Sequence, residues 1–449
     1  MTHSERWNDS GCGICIGTQI TILALLFALV TIAVQPARAQ SLQVVHNFTG
    51  GMDGASPQAG LTFDVAGNLY GTTAAGGGGT CNVLAASGCG TVFKLKRSGS
   101  SWIFQPLYQF TGGNDGALPA SDPVIGPDGA IYSNTIAGGQ GTCNSIGVLG
   151  CGTIFKLTPP ATFCRSVTCP WLQTVLYRFT GGADGQVPSG DLVFGQDRNI
   201  YGTTVHGGNS GCTIGCGVVF ELASTNGTWT QSVLYTFTGG ADGREPQAGV
   251  IFDNLGRLDG TTWLGGDFTN NCPNLGCGTV FQLTHSGSGW TENVLYPFQG
   301  GDDGYRPATN VIIDSSGNLY GTTLLNGANL GGTVFELTPS GQSWSFNLLY
   351  SLLGDEGPLG KLIMDAAGNL YGTTYADGAQ LYGSVFKLTP VGGSWMYTSL
   401  HDFTGGSDGA YPVGGVVLDA AGNLYGTASQ GGTSTNCTGG CGVVFKITP

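Results

Sequence analysis

Residues 60–116, GLTFDVAGNLYGTTAAGGGGTCNVLAASGCGTVFKLKRSGSSWIFQPLYQFTGGNDG, hold the unit from which the rest of the chain is built. Gly60–Asp64 is a nearly continuous apolar run, suited to a strand buried on both faces. A short turn at Val65-Ala66-Gly67 leads to a second strand, Asn68–Thr73. After a loop come a third strand, Thr91–Leu95, a turn at Ser98-Gly99, and a fourth strand, Trp102–Phe110. These strands are named a, b, c and d.

Three landmarks of this unit recur in fixed order. The loop 110-FTGGNDG-116 returns as 179-FTGGADG-185 and 237-FTGGADG-243. The string 67-GNLYGTT-73 is repeated at 317–323 and 368–374 and is recognisable from 129, 198, 256 and 422. The string 90-GTVFKL-95 is echoed from 152, 217, 278, 332, 383 and 442. From Phe48 to Phe403 there are 355 residues over six intervals, a mean period near 59. In strand d, Trp102/Phe110, Trp171/Phe179, Trp229/Phe237, Trp290/Phe298 and Trp395/Phe403 are each eight apart, as are Trp344 and Leu352. Even spacing predicts that both members share one face of the strand.

Seven copies of a four-strand antiparallel unit predict a seven-bladed β-propeller, because each unit buries both faces only against two neighbours. The competing arrangement is an open β-solenoid. The two ends of the repeat array decide for the ring. The last copy runs to 442-GVVFKITP-449 and has no strand d, while 41-SLQVVHNFTGG-51 reads as a strand d with no a, b or c before it. Together they make one complete blade, so residues 41–48 are expected to pair with 442–447.

The GNLYGTT and GTVFKLTP wording resembles the tandem repeats of the GloVer family of exported bacterial proteins, across residues 41–449. The resemblance implies export. It brings no activity and no catalytic residues.

Composition bounds the function. Charged residues are 10% of the chain, against a usual ~25%, and glycine contributes 81 of 449 residues. The formal net charge is −13, all of it outside residues 1–40, so a phosphate backbone would be repelled and nucleic acid is an unsuitable partner. An apolar stretch from Ile20 to Val34 followed by Ala37-Arg38-Ala39 reads as a signal peptide over 1–39, with the repeat domain at 40–449. Fifteen apolar residues fall short of the ~20 that a membrane-spanning helix needs. The expected location is therefore secreted, periplasmic or cell-envelope, with no membrane span after cleavage.

Twelve cysteines follow that segment, in local couples: Cys81 with Cys89, Cys143 with Cys151, Cys164 with Cys169, Cys212 with Cys216, Cys272 with Cys277 and Cys437 with Cys441. Five couples lie in loops between strands b and c, of 16, 16, 12, 15 and 13 residues, whereas the fifth and sixth copies have loops of 8 and no cysteine. Cysteine thus tracks loop length. Local disulfides are expected in an oxidising compartment, and couples on different blades are too far apart for one zinc.

The d-to-a loop repeats an aspartate at Asp53, Asp115, Asp184, Asp242, Asp303 and Asp408, each followed four residues later by proline. A turn in which Asp accepts backbone N–H groups accounts for the pattern. The alternative is cation or sugar binding. If these loops approach the axis, crowded carboxylates would raise one another's pKa or take up a counter-ion such as Ca2+. A second acid, at Asp64, Asp253, Asp314, Asp365 and Asp419, precedes the a–b turn and fits an Asx-type turn.

Alternating strand directions put the d-to-a and b-to-c loops on one face, the expected working surface. The expected function is an extracellular or cell-envelope binding or scaffold protein, non-catalytic, whose ligand is a glycan or a divalent cation, or whose partner is an envelope protein. The alternatives are a polysaccharide hydrolase or lyase using loop carboxylates, or a structural subunit of an envelope assembly. Uniform repetition argues against an enzyme, since an active site needs different residues on different blades.

Overall fold

The computed structural model describes Met1 and residues 40–83, 86–145, 147–160, 171–208, 211–268, 271–287, 289–354 and 356–449. The signal segment lies outside the described residues, and so do Cys164 and Cys169.

Ser41–Thr448 is one compact unit containing seven four-stranded antiparallel sheets, with no helix among the described residues. Blade 1 pairs Thr62–Phe63, Leu69–Thr73, Thr91–Ser98 and Ser101–Gln109 in chain order. Strand a is thus shorter than its apolar run, and strand c runs on into the c–d turn. Blades 2 to 6 begin at Asp122, Asp191, Gly249, Asn310 and Lys361, and blade 7 at Gly415. The two longest b-to-c loops fold small hairpins of their own, Asn82–Val83 with Ala86–Ser87 and Asn144–Ser145 with Val148–Leu149.

The ring closes as the sequence predicts. Ser41–Asn47 pairs antiparallel with Val443–Thr448, from Ser41 opposite Thr448 to Asn47 opposite Val443. It forms the outermost strand of blade 7. Phe48 then meets the Phe93 ring of blade 1 at 5.3 Å.

The same aromatic contact recurs between successive blades. Phe110 meets Phe155, Phe179 meets Phe220, Phe237 meets Phe281, Phe298 meets Phe335 and Phe403 meets Phe445, at 5.1–5.4 Å between ring centres. These phenylalanines are fully buried, and each contributes about 2–3 kcal/mol through apolar burial. The glycine of the GTT string makes room for them, since a Cβ at Gly71 would lie 2.4 Å from the Phe93 ring. Blade 2 has Ser133 at that position.

The tryptophan–phenylalanine pairs do not share a face. Trp102 packs back on Tyr425 of blade 7, while Phe110 packs forward on Phe155 of blade 2. The reason is a β-bulge: the c–d register slips between Val92 and Phe93, leaving Leu107 as an extra residue. Every blade has such a slip. One inserted residue reverses the alternation, so Leu107, Tyr108 and Phe110 all join the packing against blade 2.

The d-to-a and b-to-c loops lie together, as expected. Ala55 bridges Ala75, Ala117 bridges Ala137, and the pattern continues around the ring to Ala410 and Gln430.

Candidate functional site

The innermost strands surround a central channel. A cavity of about 390 Å³ opens on the long-loop face and is lined by residues of all seven blades. Below it, a second cavity of about 510 Å³ is lined by strand a, including Val124, Val193, Ile251, Ile312 and Ile363. Asp122, Asp191 and Lys361 line both cavities, so they form the layer between them.

These three occupy one repeat position, the residue two before the ladder of strand a. Around the ring that position reads Gly60, Asp122, Asp191, Gly249, Asn310, Lys361 and Gly415. Lys361 Nζ lies 2.7 Å from Asp122 Oδ2 and 2.8 Å from Asp191 Oδ2, joining blade 6 to blades 2 and 3. The backbone N–H of Gly60 donates to Asp122 Oδ1 at 2.5 Å, that of Asp122 to Asp191 Oδ1 at 2.9 Å, and that of Gly249 to Asn310 Oδ1 at 3.0 Å. Burial and the neighbouring Asp191 charge push the Asp122 carboxyl up. Burial alone would lower the lysine pKa, but the two carboxylates outweigh it and hold the ammonium charged. The channel is not sealed, since the Lys361 side chain keeps 30% of its accessible surface.

In five blades the first threonine of the GTT-type string holds this layer in register. Thr72, Thr203, Thr261, Thr373 and Thr427 donate to the carbonyls of Ser121, Ala248, Thr309, Gly414 and Ala59, each at the start of the next blade. In blade 2 the amide of Asn134 does the same to the Gly190 carbonyl at 2.7 Å. The second threonine is bonded within its blade, as Thr73 is to Thr91 at 2.8 Å.

The six repeated aspartates stand elsewhere. Asp115 accepts from the Thr111 N–H at 2.8 Å, the Thr111 hydroxyl at 2.6 Å and the Tyr108 hydroxyl at 3.0 Å. Asp184 and Asp242 repeat the set with Thr180/Tyr177 and Thr238/Tyr235. Asp303 uses the Gln299 and Gly301 N–H groups and the Tyr296 hydroxyl. At Asp53 and Asp408 a histidine, His46 or His401, takes the tyrosine's place at 3.2 and 3.0 Å, beside Thr49 and Thr404.

Each carboxylate is thus tied to the outermost strand of its own blade, while the axis is reached only beyond the proline. The six do not meet, and no group of three or more His, Cys, Asp or Glu suited to a metal occurs among the described residues. Burial would raise Asp53 and Asp408, but hydrogen bonds from threonine and histidine outweigh it and hold both below the usual carboxylate range. The Asx reading of the second acid matches the geometry: Asp64 accepts from the Ala66 and Asn68 N–H groups at 2.9 and 2.8 Å.

Five of the predicted disulfides are formed: Cys81–Cys89, Cys143–Cys151, Cys212–Cys216, Cys272–Cys277 and Cys437–Cys441. Cys164 and Cys169 both fall in residues 161–170, outside the described residues. Each of the five lies against the d-to-a loop of its own blade. A Cβ at Gly112 would be 2.6 Å from both sulfurs of Cys81–Cys89. Five disulfides mark an oxidising compartment.

The family model described as the Gloeobacter/Verrucomicrobia repeat matches residues 79–272 and 268–449. The chain belongs to the Gloeobacter/Verrucomicrobia repeat family. No curated protein matches this member of the family. Among solved structures it is similar to a fungal alcohol oxidase in complex with copper, at 13% identity and a TM-score of 0.50 over 92% of this chain and 77% of that one. A putative oxidoreductase (glucose dehydrogenase) of Thermus is also 13% identical, with a TM-score of 0.44 over 91% and 100%. A polysaccharide lyase, an ulvan lyase, is 11% identical, with a TM-score of 0.45 over 89% and 94%. At these identities the first likeness speaks for the fold of this Gloeobacter/Verrucomicrobia repeat protein and for nothing finer.

The axial layer is what sequence reasoning missed. A search for recurring residues passes over it, because its chemistry lies in a column where the copies differ. The available signal was that column itself: charged or amide residues in four copies and glycine in three, between a small residue and an apolar one.

Proposed function

We propose that this chain is an exported, non-catalytic propeller that binds an extracellular or envelope glycan through the axial cavity of its long-loop face. The observation that carries the reading is the Asp122–Lys361–Asp191 layer, which gives the floor of a symmetric cavity a fixed, asymmetric polar pattern. Convergent polar groups at the bottom of a concavity favour a small hydroxyl-rich segment over a flat protein surface. The same pairing argues against a hydrolase or lyase. Each axial carboxylate gives an oxygen to the Lys361 ammonium, whereas acid–base work on a glycoside needs two carboxyls turned to the substrate. Export by a cleaved segment at 1–39 accords with the disulfides and with the family.

The test is a panel of immobilised plant and microbial polysaccharides, scored for protein retention and for release of reducing ends. Retention without release is expected. The variant Asp122→Asn/Asp191→Asn/Lys361→Met keeps the shapes and removes the charges together, and it is expected to lose retention at least ten-fold. Release of reducing ends by the parent, or full retention by the triple variant, refutes the reading.

A further inference from the structure

One blade breaks the pattern on the opposite face. At the fourth residue of the GNLYGTT string six copies have tyrosine, namely Tyr70, Tyr132, Tyr201, Tyr320, Tyr371 and Tyr425, while blade 4 has Asp259. In three of these blades the tyrosine ring meets the tryptophan of the next blade: Tyr70 and Trp171 at 6.3 Å, Tyr320 and Trp395 at 6.4 Å, Tyr425 and Trp102 at 5.7 Å. In blade 4 the residue that lines one crevice with Trp344 of blade 5 is a carboxylate. The residue two before Asp259 also departs, being Arg257 where five copies have asparagine, and it pairs with Asp253 of the a–b turn at 2.6 Å.

Asp259, Gln282, Asn293, Arg257 and Trp344 line a crevice of about 470 Å³ between blades 4 and 5. Asp259 is 1% exposed. Its Oδ1 accepts from the Gln282 amide at 2.7 Å, and its Oδ2 has no partner among the described residues. A buried carboxylate oxygen left unpaired is costly and is kept where something else bonds to it. Across the Asp253–Leu255 turn lies a second crevice of about 630 Å³, between blades 3 and 4, with Trp290 in its wall.

We propose that the crevice between blades 4 and 5 is a second ligand site, which takes a segment of a neutral polysaccharide. Trp344 offers an aromatic face for the C–H side of a sugar ring, and Gln282, Asn293 and the free Asp259 oxygen offer partners for its hydroxyls. A cation is a poor fit, because the Arg257 guanidinium stands beside a single available carboxylate. The continuation past Leu255 toward Trp290 fits a chain of several rings better than a monosaccharide.

Calorimetric titration with cellohexaose, xylohexaose, mannohexaose and laminarihexaose tests the site. Binding of at least one of the four is expected. Asp259→Tyr restores the residue of the other six blades, so it is expected to fold with an unchanged or higher thermal midpoint and to bind at least ten-fold more weakly. Trp344→Ala, which leaves the floor intact, is expected to do the same and decides the matter if Asp259→Tyr does not fold. The axial triple variant is expected to bind the hexaose as the parent does, which separates this site from the axial reading. Failure of the parent to bind any of the four, or undiminished binding by Asp259→Tyr or Trp344→Ala, overturns the proposal.

Discussion

Blades 1 and 6 support the same loop by different means. In blade 1 the b-to-c loop is 16 residues long, and its Cys81–Cys89 disulfide lies against Gly112 of the following loop. In blade 6 the b-to-c loop has 8 residues, and the Tyr382 ring occupies the place of the sulfurs, 2.7 Å from where a Cβ of Gly405 would stand. Blade 5 uses neither. There strands c and d lengthen to Leu330–Ser340 and Ser343–Leu353, and Leu330 pairs with Leu353. The disulfide is therefore one of three ways to buttress the loop that leads to the axis. It appears where the b-to-c loop is too long to do so by packing.

If staples held the ring together, blade 7 would survive loss of its closing strand, because Cys437–Cys441 would remain. The opposite is expected, and it is the largest effect. Deleting residues 41–48 removes an entire ladder and the buried Phe48, exposes the edge of Val443–Thr448, and should abolish cooperative unfolding and cause aggregation. A monomeric deletion variant with a sharp thermal transition would show that the staple suffices.

The buttresses themselves differ in how far they yield. Gly112→Ala drives a methyl group into two sulfurs at a φ of +82°, and should cost about 3 kcal/mol. Gly405→Ala meets one ring that can swing aside, and should cost about half as much by chemical denaturation. Equal costs would mean that the sulfurs are no stiffer than the tyrosine.

Removing the buttress comes next in size. Tyr382→Ala should cost about 2 kcal/mol through a part-buried cavity. Replacing Cys437 and Cys441 together by alanine should cost about 2 kcal/mol, as their ring is short. Thiol titration of the denatured parent should find no free thiol in the five described couples. A cross-blade link in peptide mapping would break the comparison at its root.

The smallest expected effect separates blade 4 from blades 2 and 3. Gln173 and Gln231 donate from strand d to the carbonyls of Asp115 and Asp184 on the preceding loop. The corresponding residue of blade 4 is Glu292, which can donate only when protonated. Burial first, and the Asp242 charge second, push it up to about 7. The folded state thus holds a proton that the unfolded chain gives up near pH 4.5, so this group's contribution to stability falls as pH rises from about 4.5 to about 7. Glu292→Gln should raise the thermal midpoint by a few degrees at pH 8 and leave it unchanged at pH 4. An equal shift at both would assign the effect to packing.

The closed ring was legible because its evidence is repetition: landmarks in order, with one strand of a blade at the start of the array and the other three at its end. The staples were legible because cysteine followed loop length. Cys164 and Cys169 stand apart from that rule, since they fall between strands c and d of their copy rather than between b and c. The facing of Trp102 and Phe110 was not legible, since counting by twos cannot reveal an inserted Leu107 whose presence shows only in the register of its partner strand. The turn role of Asp115 was legible, but its distance from the axis was not, because sequence gives the order of loop residues and not which strand end retains them. Asp122, Asp191, Lys361 and Asp259 were hidden by the same habit of mind: a repeat is found by what its copies share, and these residues are where copies part.

The pairing of Ser41 with Thr448 also has a consequence in time. The segment that completes the last blade is among the first of the propeller to be synthesised, and its partner is the last. Six blades can stack as a growing arc, each with its neighbour close behind in the chain, but the final hydrogen bonds join residues about as far apart as the domain allows. Until then one blade presents a bare edge at one end and an unpaired strand waits at the other. Two such molecules meeting at that stage can exchange strands. Rapid dilution on refolding should therefore favour the single ring, and concentrated refolding should yield linked pairs.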